Sequence, residues 1–227
     1  VNDKEGIRSN SIYSLLVDDR GAVWVGHFQA GLDYSLYQNG LFRTYAYPPQ
    51  FNSANLSIRS FVNRGPEKVI GSRDGLFYIN EATGIVKSFV KPVLTSDLIL
   101  TICFYEGEYY IGTYGGGMMV LNPQTLSLKY FTQGDTELFQ KGHIFCVKPD
   151  NRGNLWIGTS QGLFCYNGQT KQIKNFTSTN SQLPEGNVYE VSFDSTGKGW
   201  IATETGMCIY DPASQSLRSN VFPEGFV

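Results

Sequence analysis

The sequence predicts an all-β chain of β-propeller blades, and three observations predict it. A four-residue motif recurs five times at a period of 41 to 46 residues, a Gly-Leu or Gly-Met pair follows each copy, and an aromatic residue closes each unit. The motif copies are Val23-Trp24-Val25-Gly26, Lys68-Val69-Ile70-Gly71, Tyr109-Tyr110-Ile111-Gly112, Leu155-Trp156-Ile157-Gly158 and Gly199-Trp200-Ile201-Ala202. The pairs are Gly31-Leu32, Gly75-Leu76, Gly117-Met118, Gly162-Leu163 and Gly206-Met207. The closing aromatics are Tyr45, Phe89, Phe131, Phe176 and Phe222.

Each unit resolves into four short strands, as the fourth copy shows most clearly. Ile144 to Lys148 is a β-branched and aromatic run, and Pro149 to Asn154 is a turn with Asp, Asn and Gly in the places turn chemistry needs them. Leu155 to Thr159 forms the second strand, Ser160-Gln161-Gly162 a turn, Leu163 to Tyr166 the third strand, and Lys171 to Thr177 the fourth. The Asp/Gly hairpin recurs at Asp18-Asp19-Arg20-Gly21 and at Asp194-Ser195-Thr196-Gly197. No stretch has a sustained helical period. Second strands that are apolar at successive positions fit sheets buried on both faces. A mid-blade Gly fits a close approach of neighbouring sheets. A solenoid of the same period is the structural alternative, and tight hairpins favour the propeller. The blades are placed at about 7–47, 54–91, 97–133, 142–178 and 186–222. Phe222-Pro223-Glu224-Gly225 repeats Leu183-Pro184-Glu185-Gly186, the opening of the fifth unit, so further repeats are expected in a longer parent. Blade edges left open in such an arc are expected to pair with the parent's remaining blades or with a second chain.

Composition narrows the function. With 227 residues, 41% hydrophobic, the chain can bury a sizeable core. A net charge of −2 without a Lys/Arg block argues against a nucleic-acid surface. No apolar run reaches the roughly 20 residues that span a bilayer. The opening Val-Asn-Asp-Lys is not a signal peptide, so targeting and anchoring segments would lie elsewhere in a parent protein. Cys103, Cys146, Cys165 and Cys208 read as small buried hydrophobes, with a disulfide or metal site as the alternative.

Motifs with chemical meaning reduce to turns. Gly158-Thr159-Ser160-Gln161-Gly162 has the spacing of a nucleophile elbow but lies between two strands, with no helix and no His after it. Gly112 to Gly117 lacks the Lys and helix of a phosphate loop. The Asp hairpins are too short for a calcium loop. His27 and His143, each at a loop or strand start, are far apart in sequence for one metal. No catalytic residue, metal site or cofactor is expected. The turns between second and third strands vary from copy to copy on a fixed frame, as binding loops do. They supply His27, Arg73, Asp74, Tyr114, Gln161 and Glu204 as candidate ligand-binding residues, an aromatic among planar polar groups that would suit a sugar.

The units resemble the two-component regulator propeller repeat, whose pattern is roughly Asn-Ser-Ile, an Asp-x-x-Gly hairpin, Leu-Trp-Ile-Gly-Thr, Gly-Leu and an aromatic. Asn10-Ser11-Ile12, Asp18 to Gly21 and Val23 to Gly26 carry it in the first copy, and Asp150 to Thr159 with Gly162-Leu163 carry it best. The second copy departs, with Asn63-Arg64-Gly65-Pro66-Glu67 for the hairpin and Val69 for Trp, and the fifth has Ala202 for Gly. The resemblance implies a periplasmic sensor region of a membrane-anchored hybrid histidine kinase, sensing oligosaccharides, with membrane contact only through segments outside this sequence. A propeller lyase or glycosidase and a non-catalytic interaction scaffold are the alternatives.

Overall fold

The computed structural model describes residues 6–18, 20–35, 41–45, 56–134 and 136–219. They form five four-stranded antiparallel sheets, each a meander in chain order, the blade units of a β-propeller. The first sheet holds β1 (Ile12–Val17), β2 (Val23–His27), β3 (Leu32–Ser35) and β4 (Phe42–Thr44); the second holds β5 (Ile58–Arg64), β6 (Glu67–Ser72), β7 (Gly75–Asn80) and β8 (Ile85–Phe89). The third holds β9 (Ile99–Tyr105), β10 (Glu108–Thr113), β11 (Met118–Leu121) and β12 (Leu128–Tyr130). The fourth holds β13 (Ile144–Pro149), β14 (Asn154–Thr159), β15 (Gly162–Asn167) and β16 (Gln172–Phe176), and the fifth β17 (Val188–Phe193), β18 (Gly199–Thr203), β19 (Met207–Asp211) and β20 (Ser216–Ser219). The chain divides into two compact units, 1–102 and 103–227.

The recurring residues turn out to be one row across each of the first four sheets. Gly26 pairs with Leu32, and the Tyr45 amide donates to the Leu32 carbonyl at 2.8 Å. Gly71 pairs with Leu76 and Leu76 with Phe89; Gly158 pairs with Leu163 and Leu163 with Phe176. The three sequence landmarks are therefore cross-strand neighbours. Gly is required in this row because the next sheet packs against it. A Cβ on Gly158 would lie 2.6 Å from the Val188 carbonyl oxygen and 2.5 Å from Cys146 Sγ; one on Gly26 would lie 2.9 Å from the Ile58 carbonyl oxygen. Second strands of the first four sheets are buried along almost their whole length, as in β14, whereas outer strands such as β16 are largely exposed.

The Asp hairpins do more than turn the chain. Asp150 Oδ1 accepts from the Arg152 and Asn154 amides, with Gly153 at φ +79°, while Oδ2 accepts from Asn154 Nδ2 and from the Trp156 indole N–H at 2.9 Å. Trp156 is fully buried, against Phe176, Phe193 and Tyr210. Asp18 holds Trp24 in the same way at 2.9 Å and takes a further bond from Asn63 Nδ2. Burial pushes the Asp18 carboxyl up, but its Trp24, Ala22, Arg20 and Asn63 donors outweigh that and leave it below the usual carboxylate value. In the fifth sheet Asp194 accepts from Thr196 and Lys198, and Trp200 is 41% exposed. The departing second hairpin closes on Arg64 paired with Glu67, a two-residue Gly65-Pro66 turn that leaves Asn63 free to reach Asp18.

Two readings are corrected. A helix, α1 (Thr136–Lys141), lies between β12 and β13 and buries Leu138 and Phe139; at six residues it is too short to show a period. His27 is not a turn residue but the last residue of β2, and it is fully buried. Phe222 and the sixth-unit opening lie outside the described residues. The cysteines are free, with Cys103, Cys146 and Cys208 buried. Burial pushes Cys103, Cys146 and Cys165 up to about 12 and Cys208 to about 11.

Candidate functional site

Four first strands share an irregularity at the same place. Ile12 pairs with His27 and Ser14 with Gly26, so Tyr13 is an extra residue in β1. The same shift leaves Arg59 extra in β5, Phe145 in β13 and Tyr189 in β17. A bulge of this kind bends the strand and re-aims one side chain. The extra residue is a ring or a guanidinium in all four, and in β13 it stands between buried residues, Ile144 before it and Cys146 and Val147 after it.

The turn between second and third strands lies beside each bulge. The amide of the second residue after the motif's fourth position bonds back to the residue preceding the first strand's opening pair. Thus Phe28 N donates to Ser11 O, Arg73 N to Ser57 O, Ser160 N to His143 O and Glu204 N to Asn187 O. Arg73, Tyr114 and Glu204 occupy that equivalent position, and Asp74 and Gln161 follow it by one residue. The residue before it ties the turn, and in the second, third and fourth sheets it is fully buried. Ser72, Thr113, Thr159 and Thr203 hydroxyls donate to the carbonyls of Gly75, Gly117, Gly162 and Gly206. His27 stands at this tying position in the first copy. Its Nε2 lies 3.0 Å from Asp33 Oδ2, which also accepts from the Arg8 amide at 2.8 Å. That explains its burial and removes it from the exposed turn surface.

In the unit 103–227 the bulges and turns assemble a continuous aromatic run. Tyr114, half exposed, stacks on His143 with ring centres 4.0 Å apart and planes 30° apart. His143 lies 6.1 Å from Phe145, and Phe145 meets Tyr189 edge-on at 5.1 Å. At the far end Asn187 Nδ2 donates both to Tyr189 Oη at 3.2 Å and to Glu204 Oε2 at 3.0 Å. Tyr114 and Glu204, from separate sheets, thus terminate one surface strip. Gln161 stands exposed beside it, two residues past Thr159, whose hydroxyl accepts from its amide at 3.0 Å. His143 Nδ1 has no hydrogen-bond partner among the described residues, so Ser160 and His143 form no nucleophile–base pair through that atom.

In the unit 1–102 the equivalent positions carry Tyr13, Phe28, Arg59 and Arg73. Tyr13 and Phe28 lie 5.3 Å apart, and the Arg59 guanidinium carbon sits 4.8 Å from the Tyr13 ring centre. Arg73 and Asp74 are exposed. The bulged residues, His143 and Asn187 are not among the candidates read from the sequence, and Arg73, Asp74, Tyr114, Gln161 and Glu204 lie in the turns in which the sequence placed them.

A separate cavity of about 500 Å3 opens at the outer strands β16 and β20, lined by Lys174, Asn180, Gln182, Gln215 and Arg218 among others. None of the six candidate residues lines it. Among the described residues no group of three His, Cys, Asp or Glu is placed to hold a metal ion.

The sequence model of the two-component regulator propeller family matches residues 6–29 and 139–161. Both matches run through a first strand, its Asp hairpin, a second strand and the following turn. They fall on the two sheets in which Trp is held by Asp. Parts of two of the five units are thus similar to that family's repeat. No curated protein matches the chain. Among solved structures, the repeats align with the extracellular domain of a putative hybrid two component system from B. thetaiotaomicron at 24% identity and TM-score 0.78, over 92% of this chain and 28% of that one. A second such extracellular domain from the same organism aligns at 19% identity and TM-score 0.63, over 94% and 33%. PorZ, a surface component of the type-IX secretion system of Porphyromonas gingivalis, aligns at 16% and 0.66, over 86% and 31%. The likeness carries the fold, and the chain spans about a third or less of each of these proteins.

Proposed function

We propose that this chain is a ligand-sensing, non-catalytic segment of the extracytoplasmic region of a two-component sensor regulator, and that the ligand is an oligosaccharide. The single observation that carries the ligand class is the run Tyr114–His143–Phe145–Tyr189, ended by Asn187 and Glu204. The exposed rings of Tyr114 and Tyr189 offer flat faces to the apolar side of a pyranose, and the amide and carboxylate at the end offer partners to its hydroxyls. The regulator repeats and the likeness to extracellular domains of hybrid systems support the sensing role and an extracytoplasmic, periplasmic placement. No helix among the described residues is long and apolar enough to cross a membrane, so signal relay to a histidine kinase would run through other parts of the parent.

The test is calorimetric titration of partially hydrolysed polysaccharides into the chain, with product analysis of the same mixture. Saturable heat without new reducing ends supports the sensor. Turnover would replace it with a propeller lyase or glycosidase, and no heat with any saccharide would refute the ligand class.

A further inference from the structure

We propose that the unit 1–102 holds a site for an anionic substituent of the ligand, a carboxylate or a sulfate, built on Arg59. This rests on the oligosaccharide reading above and narrows it to acidic saccharides.

Arg59 differs from the ion-paired cations of its unit, and also from Arg20, Arg43, Arg73, Lys87 and Lys91, which are exposed. Arg8 approaches Asp33 at 3.9 Å, Arg64 pairs with Glu67 at 3.4 Å and Lys68 with Glu81 at 2.6 Å. Arg59 is partly buried, has no ion pair among the described residues, and its Nε is buried without a hydrogen-bond partner. A buried donor on a charged group is costly when unpaired, so such a group calls for a partner. Its surroundings fix the geometry of that partner. The guanidinium carbon lies over the Tyr13 ring, so the ring covers one side of the group, and with Nε buried a ligand would meet the terminal Nη donors. A planar fork presented edge-on matches two oxygens of one anion. The bulge positions hold the stack: Tyr13 is the extra residue of β1 and Arg59 that of β5.

The flanking groups agree. Phe28, 5.3 Å from Tyr13, extends the aromatic surface on one side. Arg73, at the position in the second sheet that Phe28 holds in the first, adds an exposed second cation; its amide bonds to Ser57, two residues before Arg59. The one acid in the same turn, Asp74, is exposed, and its amide is tied to Ser72 Oγ at 2.9 Å. The set pairs a ring surface for a sugar with a guanidinium edge for an acidic group on it.

The experiment titrates three probes into the full chain at low and at moderate salt: a trimer of galacturonate, a sulfated galactose trimer and a neutral galactose trimer. At least one acidic probe is expected to bind tenfold or more tighter than the neutral one, with the margin shrinking as salt rises. Which acidic probe gains identifies carboxylate or sulfate as the group recognised. Arg59→Gln is expected to abolish the margin and Arg59→Lys to keep part of it, with unfolding temperatures recorded for both. Arg73→Gln, at an exposed turn, is expected to reduce the margin severalfold and carries the test if Arg59→Gln does not fold. Equal affinity for acidic and neutral probes, or a margin that survives these substitutions, overturns the inference and leaves the oligosaccharide reading standing. Absence of binding by all three overturns the inference, and the oligosaccharide reading is then decided by the wider titration of hydrolysed polysaccharides.

Discussion

Replacing Asp150 by Ala tests the physical reading of the hairpins. The substitution removes the acceptor for four donors: the Arg152 and Asn154 amides, Asn154 Nδ2 and Trp156 Nε1, all within 2.8–2.9 Å. The three turn donors can turn to water. The indole N–H cannot, because Trp156 is fully buried. An unsatisfied buried donor costs about 1–3 kcal/mol, and the loosened turn adds to it. A total of about 3 kcal/mol corresponds to a fall in unfolding temperature of roughly 6–12 °C for a chain of this size. Asp194→Ala removes similar turn bonds in the fifth sheet, where Trp200 is exposed, and is expected to lower the temperature by less than half as much. Thermal unfolding followed by circular dichroism reads both, and a Trp156→Phe, Asp150→Ala double-mutant cycle isolates the indole bond. Equal falls for Asp150→Ala and Asp194→Ala would refute the reasoning.

Further outcomes follow from the same structure. Gly158→Ala places a Cβ against the Val188 carbonyl and Cys146 Sγ and should destabilise by about 1–3 kcal/mol, seen as a lower urea midpoint at unchanged slope. The four thiols, with burial raising their values to about 11–12, should react with a thiol reagent at pH 8 only slowly in the native chain and all at once in denaturant. Asp18 titrates below its ordinary value of 3.8 in the folded chain, so its contribution is present above that value and is lost as pH falls through the lower, folded value. The unfolding temperature should therefore drop steeply below about pH 4, and less steeply in Asp18→Asn.

The frame was legible in the sequence because each landmark has one cause acting in every copy. Gly26, Gly71 and Gly158 face the next sheet, Leu32, Leu76 and Leu163 pair with them, and the closing aromatics complete the row. The turn candidates were legible because those residues vary where the frame does not. His27 was misplaced because its copy puts an imidazole where the others put a hydroxyl, and only the Asp33 contact shows that it is held inside. The bulged residues were hidden because a bulge is a property of pairing between two strands, and either strand alone reads as ordinary. One trace was present: Cys146 and Val147 are apolar neighbours that break the alternation expected of a first strand. Arg59 left no such trace, since an arginine in a strand reads as a solvated position until its missing partner is seen.

If the bulged positions form the ligand surface proposed above, a bulge at the same point in four sheets lets that surface vary. The row that holds the sheets together stays fixed while one side chain in each of these sheets is re-aimed, so a ring or a guanidinium can stand there without repacking the core.

The most direct measurement compares two exposed tyrosines. Tyr189 sits at a bulge, 45% exposed, and Tyr130 lies on the outer strand β12, 43% exposed. Calorimetric titration of an oligosaccharide that binds the native chain, repeated with Tyr189→Ala and Tyr130→Ala, should show a loss of affinity of tenfold or more for Tyr189→Ala and none for Tyr130→Ala, with unfolding temperatures close to native in both. Unchanged binding in Tyr189→Ala, or an equal loss in Tyr130→Ala, would contradict the assignment of the bulged first strands as the ligand surface.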